Sequence, residues 1–359
     1  MIAVYKKYLI KKFLRKLLNV SLIFLSLIII LNIFDEISFF KDLDVNFLIP
    51  FYLTFSSAPS VLFEIFPFIF LISSLLFFLD LINNNELEIL KVNSLPNIKI
   101  IIILFFTSMV VGLFLITFYY SFSSKLKFIY LDLKNEYTTD GKYLAMITEN
   151  GIWIKDEIDE NIYIINANKI ENGLLKDVFI SQFDLKFELK NTIISNSVDI
   201  TRNEWLIFDP ITTNDYRNLI QNNILRLETH FNLKKINKMF NDLSSLNIFE
   251  LNQLSKDYKE LGSSTSEINS HLSKIYAYPI YLSLMTAFSC VIMLNIKKNK
   301  PMIFYLILSI FLSVVIYYFN VVFNLLGETE KIPIYASTWM PLFLILVFIS
   351  IGLIRINEK

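Results

Sequence analysis

The stretch GIWIKDEIDENIYIINANKI, residues 151–170, decides how this 359-residue chain is to be read. Apolar and polar side chains alternate through 151–155 and again through 161–166, the period-two pattern of half-buried β-strands. The charged run 156–160 between them reads as a turn. Similar short runs follow at 178–181 and 185–189, and residues 191–208 supply two more, with a turn at Glu171-Asn172-Gly173 and Pro210 closing the last. Several short strands with polar turns predict an antiparallel sandwich or jelly roll. The texture changes after residue 214. Ser245 followed by LNIFELNQLSKDYKELG reads as a capped amphipathic helix, with Leu246, Phe249, Leu251, Leu254, Tyr258 and Leu261 as its apolar stripe and Gly262 as its stop.

On both sides of this polar stretch the chain is apolar. A membrane span needs about 20 mostly apolar residues to cross roughly 30 Å of hydrocarbon. Six runs qualify, at 17–34, 58–81, 99–122, 275–296, 302–325 and 335–354. With 54% hydrophobic residues, the chain carries more apolar surface than a soluble domain of this size can hide. The first run is too long for a removed signal peptide and lacks its small-residue cleavage site. The predicted fold is therefore an α-helical membrane protein of six transmembrane helices, three plus three, with an inserted extracytoplasmic all-β, jelly-roll-like domain. Its segments are 1–122 (a cytoplasmic interfacial helix and helices one to three), 123–273 (the β-domain with a C-terminal helical part) and 274–359 (helices four to six).

Net charge is zero, so total charge names no partner, and no nucleic acid is expected. The distribution of charge is more useful. Lys6, Lys7, Lys11, Lys12, Arg15 and Lys16 precede the first span, Lys297, Lys298 and Lys300 separate the fourth from the fifth, and Arg355 and Lys359 follow the sixth. The positive-inside rule puts these in the cytoplasm, the 82–98 loop with them and the β-domain outside. The basic start is also amphipathic and is expected to lie along the cytoplasmic face, its lysines near anionic head groups. Cys290, the single cysteine, excludes an intrachain disulfide.

Sequence signals for catalysis are lacking. There is no GxxxxGK[ST], CxxC, HExxH or GxSxG pattern, and the two histidines, His230 and His271, are far apart. The reading is accordingly no catalytic residue, no metal and no cofactor bound by this chain. Glu64 is the deepest ionisable residue in any span and reads as one half of a local pair. In span two, Pro59 and Pro67 predict a kink or soft spot. The most informative short motif is NNNELEILK, residues 83–91. Asn85 is placed to cap a helix with Glu88 at its third position, and Pro96 ends the turn. The result is a short cytoplasmic helix joined rigidly to spans two and three.

Taken in order, YLIKKFLRKLL (8–18), FDEI (34–37), PSVLFEIFPF (59–68), NNELEILKVNSLP (84–96), GIWIKD (151–156), SKIYAYPIY (273–281) and PIYASTWMP (333–341) resemble the LptF/LptG (YjgP/YjgQ) permease family of the lipopolysaccharide exporter. The resemblance covers essentially the whole length, and FDEI with the NNELEIL loop is more like LptG. It implies a multi-pass protein of the bacterial inner membrane with a periplasmic domain, pairing with an LptF-like paralogue around a lipopolysaccharide-binding cavity. It also implies a homodimeric LptB-like ABC ATPase, which holds the ATP, and a single-span LptC-like protein. The helix around Glu86, Leu87, Glu88 and Leu90 matches the element that docks on the ATPase, Glu86 as polar anchor and the leucines as apolar plug. Lipopolysaccharide phosphates call for cations at the outer rim of the cavity, where Lys41, Lys125 and Lys127 are the candidates. Asp35, Glu36 and Asp42 nearby would weaken such a site or act through divalent cations. Two other classes make different demands on the chain. A membrane receptor sensing a ligand on its outside domain would be expected to carry a cytoplasmic output domain, and the inner segments are all short. A membrane enzyme acting on lipid head groups needs a polar reaction centre that the spans do not offer.

Overall fold

A computed structural model describes residues 4–41, 46–93, 95–137, 152–158, 161–171, 173–185, 187–214, 219–221, 224–229, 231, 233, 242–260, 264–294 and 302–357. The chain divides into two compact units, Met1–Lys127 with Thr265–Lys359, and Phe128–Ser264.

The first unit is a helical bundle with, among the described residues, six helical segments long and apolar enough to cross a membrane. Helix α1 runs Val4–Phe39 and α2 runs Leu48–Asn83, followed by the short α3, Glu86–Val92. The third span is α4, Asn97–Phe114, continued through a π-helical turn, Leu115–Tyr119, into α5, Tyr120–Glu136. The basic start forms the first turns of α1 and runs on into the first span without a break. At 1.5 Å per residue that helix is about 54 Å long, so its N-terminal turns extend past a 30 Å core.

The last three spans are single helices: α7, Ser266–Leu294; α8, Met302–Glu328; and α9, Ile334–Asn357. In their most apolar windows α2 and α7 are 61% and 72% buried, against 17% for α1 and 11% for α8. The bundle is thus built around α2 and α7, while α1 and α8 present apolar faces outward (Leu27, Leu31 and Phe34 on one, Phe311, Val315 and Tyr318 on the other).

Small residues let the inner helices approach, as expected where dispersion rather than the hydrophobic effect drives association. A Cβ on Gly112 of α4 would lie 2.7 Å from the Pro279 Cα of α7, so only glycine fits this crossing. One turn away, the buried hydroxyls of Ser108 and Thr286 hydrogen-bond at 2.8 Å. Helix α2 continues through Pro59 and Pro67. Proline cannot donate to the carbonyl four residues back, and Pro67 therefore frees that of Phe63. The hydroxyl of Tyr278 donates to this carbonyl instead, and its ring stacks on Phe63 with centroids 4.4 Å apart.

The second unit carries an antiparallel sheet, in keeping with the period-two reading. Among the described residues its strands are β1 (Ile152–Ile158), β2 (Asn161–Glu171), β3 (Leu174–Asp184), β4 (Leu189–Asp199), β5 (Glu204–Phe208), β6 (Ile211–Asn214), β7 (Leu219–Gln221) and β8 (Ile224–Glu228). The order is β1-β2-β3-β4-β5-β8, and it forks at β4. Residues 191–194 of β4 pair with β6, which in turn pairs with β7, while residues 197–199 pair with β5. At the fork, the Ser195 hydroxyl lies 2.6 Å from the Phe208 carbonyl and occupies the gap where the pairing changes partner. Leu175, Val178, Ile180, Ile193, Val198 and Ile207 are buried in one core with Trp205, whose indole nitrogen donates to the Phe231 carbonyl at 2.8 Å.

Three local expectations are corrected. The charged run 156–160 reads as a turn, yet β1 continues through residues 156–158, with Asp156 paired to Tyr163 of β2. Of the run 185–189, Lys186 lies outside the described residues, Leu189 opens β4, and Leu185, Phe187 and Glu188 lie in the β3–β4 turn. Phe187 sits there at φ 62°, and the Asp184 carboxylate accepts from the Glu188 amide at 2.9 Å. The amphipathic helix, α6, spans Ile248–Glu260 and is capped by Asn247 rather than Ser245. The Asn247 side chain accepts from the Phe249 and Glu250 amides, and the Glu250 carboxylate accepts from the Asn247 amide at 3.1 Å, a reciprocal capping box. Leu246, Leu251 and Leu254 are buried, Phe249 is exposed, and Leu261 lies outside the described residues.

Candidate functional site

Helix α3 begins at a tight turn. The Asn84 amide donates to the Asp80 carbonyl and the Asn85 amide to that of Ile82, which closes α2. Asn85 adopts the left-handed conformation, φ 56°, which asparagine tolerates better than most residues. Its side chain makes no capping bond, contrary to the sequence expectation; its carbonyl accepts from the Ile89 amide at 3.2 Å. Glu86 and Glu88 lie in the first turn and Lys91 in the last, each complementing the helix dipole. At the far end the Ile89 carbonyl accepts from both the amide and the side chain of Asn93, and Pro96 leads into α4.

The four residues singled out on α3 do not share one environment. Leu87 is buried against the bundle and Leu90 half-buried, while Glu88 is exposed. The apolar residues offered outward are Ile89, 58% exposed, and Val92, 84% exposed.

Glu86 is held from within the chain. The Lys12 ammonium lies 2.6 Å from its carboxylate and the Tyr8 hydroxyl donates to the same oxygen at 2.7 Å. Partial burial alone would raise the Glu86 pKa. Together, the hydrogen bonds from Lys12 and Tyr8 outweigh it and hold the carboxyl below its ordinary value of 4.5. One turn along α1, Lys16 pairs with Asp80 of α2 at 2.6 Å. Tyr8, Lys12 and Lys16 follow an i, i+4 spacing that puts them on one face of α1. Beneath them Phe13 meets Phe70 and Phe77 edge-on, at 6.5 and 6.1 Å between centroids. The start of α1, the end of α2 and all of α3 thus form one braced element. The sequence reading anticipated α3 but not its brace, because the partners are 74 residues apart.

The candidate phosphate contacts are less concentrated. Lys41 is exposed just past α1, Lys125 is exposed on α5 and Lys127 is half-buried there. Residues two apart on a helix point about 200° apart, so Lys125 and Lys127 do not share a face. Asp35 is exposed and Glu36 buried, and Asp42 lies outside the described residues.

Glu64 lines a cavity of about 160 Å³ between α2, α7, α8 and α9, together with Lys274, Tyr281, Tyr317, Asn320 and Thr338. Lys274 of α7 is paired with Glu328 of α8 at 2.7 Å, a contact invisible in the linear sequence. The π-helical turn of the third span sends the Tyr119 hydroxyl to the Pro59 carbonyl, and Tyr120 hydrogen-bonds His271 at 3.1 Å. Such turns recur at functional places in helices. Among the described residues no group of three or more His, Cys, Asp or Glu side chains gathers into a metal-binding cluster.

Comparison with known families aligns residues 7–355 with the model described as lipopolysaccharide export system permease LptF/LptG. Comparison with curated proteins gives no match.

Proposed function

The chain belongs to the LptF/LptG family of lipopolysaccharide export system permeases, and from that premise we propose that it is the LptG-like permease subunit of an ABC-type exporter. In this reading it lies in the bacterial inner membrane with its β-domain in the periplasm. It pairs with an LptF-like paralogue, takes lipopolysaccharide from the outer leaflet and passes it along a periplasmic bridge. A homodimeric LptB-like ATPase supplies the energy, so this chain needs no nucleotide or other cofactor of its own. An LptC-like single-span protein completes the assembly. Lys41, Lys125 and Lys127 remain the candidates for meeting lipid phosphates at the outer rim.

The observation that supports this most is the braced α3. It stands between spans two and three with Glu88, Ile89, Lys91 and Val92 exposed, while Glu86 and Leu87 root it in the bundle. A helix fixed at its root and open at its surface can turn a push from a partner into movement of the spans it joins. The outward apolar faces of α1 and α8 supply a wall suited to acyl chains or to the paralogue's helices. A photo-crosslinker at Phe311 or Val315 of α8, used in native membranes, tests the reading. The expected product is an adduct with lipopolysaccharide or with the paralogue that changes when ATP hydrolysis is blocked. Adducts with bulk phospholipid alone, unaffected by ATP, would contradict it.

A further inference from the structure

The two sides of the α1 start do different things. On one side Lys12 and Lys16 are paired with Glu86 and Asp80. On another, Lys7, Lys11 and Arg15 are exposed, and among the described residues none of them has an ion-pair partner. These three follow an i, i+4 spacing, so like charges stack one turn apart, an arrangement that costs a helix unless an anion sits among them. Ile10, Leu14 and Leu18 repeat with the same period beside them, and the two rows together make one open face of α1, cationic along one edge and apolar along the other. Lys11 and Arg15 also border a groove of about 450 Å³ that reaches to Asp80 of α2. This face lies opposite the row Leu9, Phe13 and Val20, which is buried in the bundle.

We propose that this face is a binding site for an anionic glycerophospholipid in the leaflet at the α3 end of the bundle. The lipid phosphate sits among Lys7, Lys11 and Arg15, and an acyl chain lies along Leu14 and Leu18. The argument is one of complementarity. A phosphodiester supplies the negative charge that three stacked cations lack, and its chains match the apolar row running on from them into the span. An arginine fork suits a phosphate particularly well. The inference rests on the surface of α1 and is independent of the transport reading. It gives the brace a second support, with lipid on one side of α1 and Glu86 and Asp80 on the other.

The test is native mass spectrometry of the full chain titrated with phosphatidylglycerol or phosphatidylcholine. Phosphatidylglycerol is expected to be retained at about tenfold lower concentration, an advantage that Lys11→Gln with Arg15→Gln abolishes. Lys297→Gln with Lys298→Gln removes the same charge elsewhere and is expected to leave retention unchanged. Equal retention of the two lipids, or equal loss in both double variants, would overturn the site. A head-group-tethered diazirine phosphatidylglycerol gives a readout on the unmodified chain in its native membrane. Labelling of the peptide spanning residues 7–18 supports the proposal. Labelling only elsewhere, or cross-linking of this face to another protein chain in place of lipid, refutes it.

Discussion

Lys12 and Glu86 form an ion pair at 2.6 Å that ties the first helix to the short α3 across 74 residues of sequence. Both side chains are mostly shielded, at 15% and 25% exposure, so the pair is less screened than an open surface contact. A double-mutant cycle with Lys12→Gln and Glu86→Gln is expected to give a coupling of about 1 kcal/mol in thermal or chemical unfolding. The swap of Lys12→Glu with Glu86→Lys should recover part of it. Additivity of the two single changes would show that the contact does not brace the helix.

The pH dependence of that brace has a definite sign. The folded Glu86 carboxyl titrates below the ordinary 4.5, so within that window the unfolded chain binds more protons. Stability therefore rises with pH through it and is flat above. The difference in unfolding midpoint between the wild type and Glu86→Gln should be constant near about pH 7 and shrink as pH falls through the folded value, below the ordinary one. A difference that grows on acidification would contradict the assignment.

The outer surface of α3 separates docking from bracing. Ile89→Asp and Val92→Asp leave the Lys12 contact untouched and are expected to reduce ATPase association at least about tenfold, since a charge at a buried contact of an interface costs several kcal/mol. Glu86→Ala should weaken the same association less directly, by loosening the helix. Pull-down of the ATPase on the purified variants, with unfolding midpoints measured in parallel, distinguishes the two effects.

At the crossing of α4 and α7 the Cβ of Gly112→Ala would meet backbone, not a flexible side chain. The helices must separate, and the expected loss is about 1–3 kcal/mol. The Ser108 and Thr286 hydroxyls, 2.8 Å apart, should part as well. Thermal unfolding in detergent measures the loss, and an unchanged midpoint would mean that the crossing is not close-packed.

What the sequence could reveal followed from periodicity. The six apolar runs and the alternations at 151–155 and 161–166 needed only local counting, and both kinds of element stand where those patterns lie. Local chemistry that competes with pattern was harder to read. The alternation at 185–189 suggested a strand, yet Asp184 capturing the Glu188 amide makes a turn there. Asn247 and Glu250 form the capping box, two residues beyond the Ser245 that the pattern favours. The short strands β6 to β8 carry too few residues to show a period. Distance in sequence hid the rest. Nothing local to Glu86 reveals Lys12, and nothing near Lys274 reveals Glu328. The resemblance offered Leu87 and Leu90 as an apolar plug for the ATPase; in the fold Leu87 is buried, Leu90 half-buried, and Ile89 and Val92 are the exposed apolar residues of α3.

Affinity purification of the chain from its native membrane, followed by identification of the proteins and lipid that come with it, tests the central claim most directly. The account predicts an ABC ATPase, a homologous permease chain and lipopolysaccharide, with ATP hydrolysis lost when the ATPase is stripped away. A native assembly without any ATPase, and without lipopolysaccharide, would contradict it.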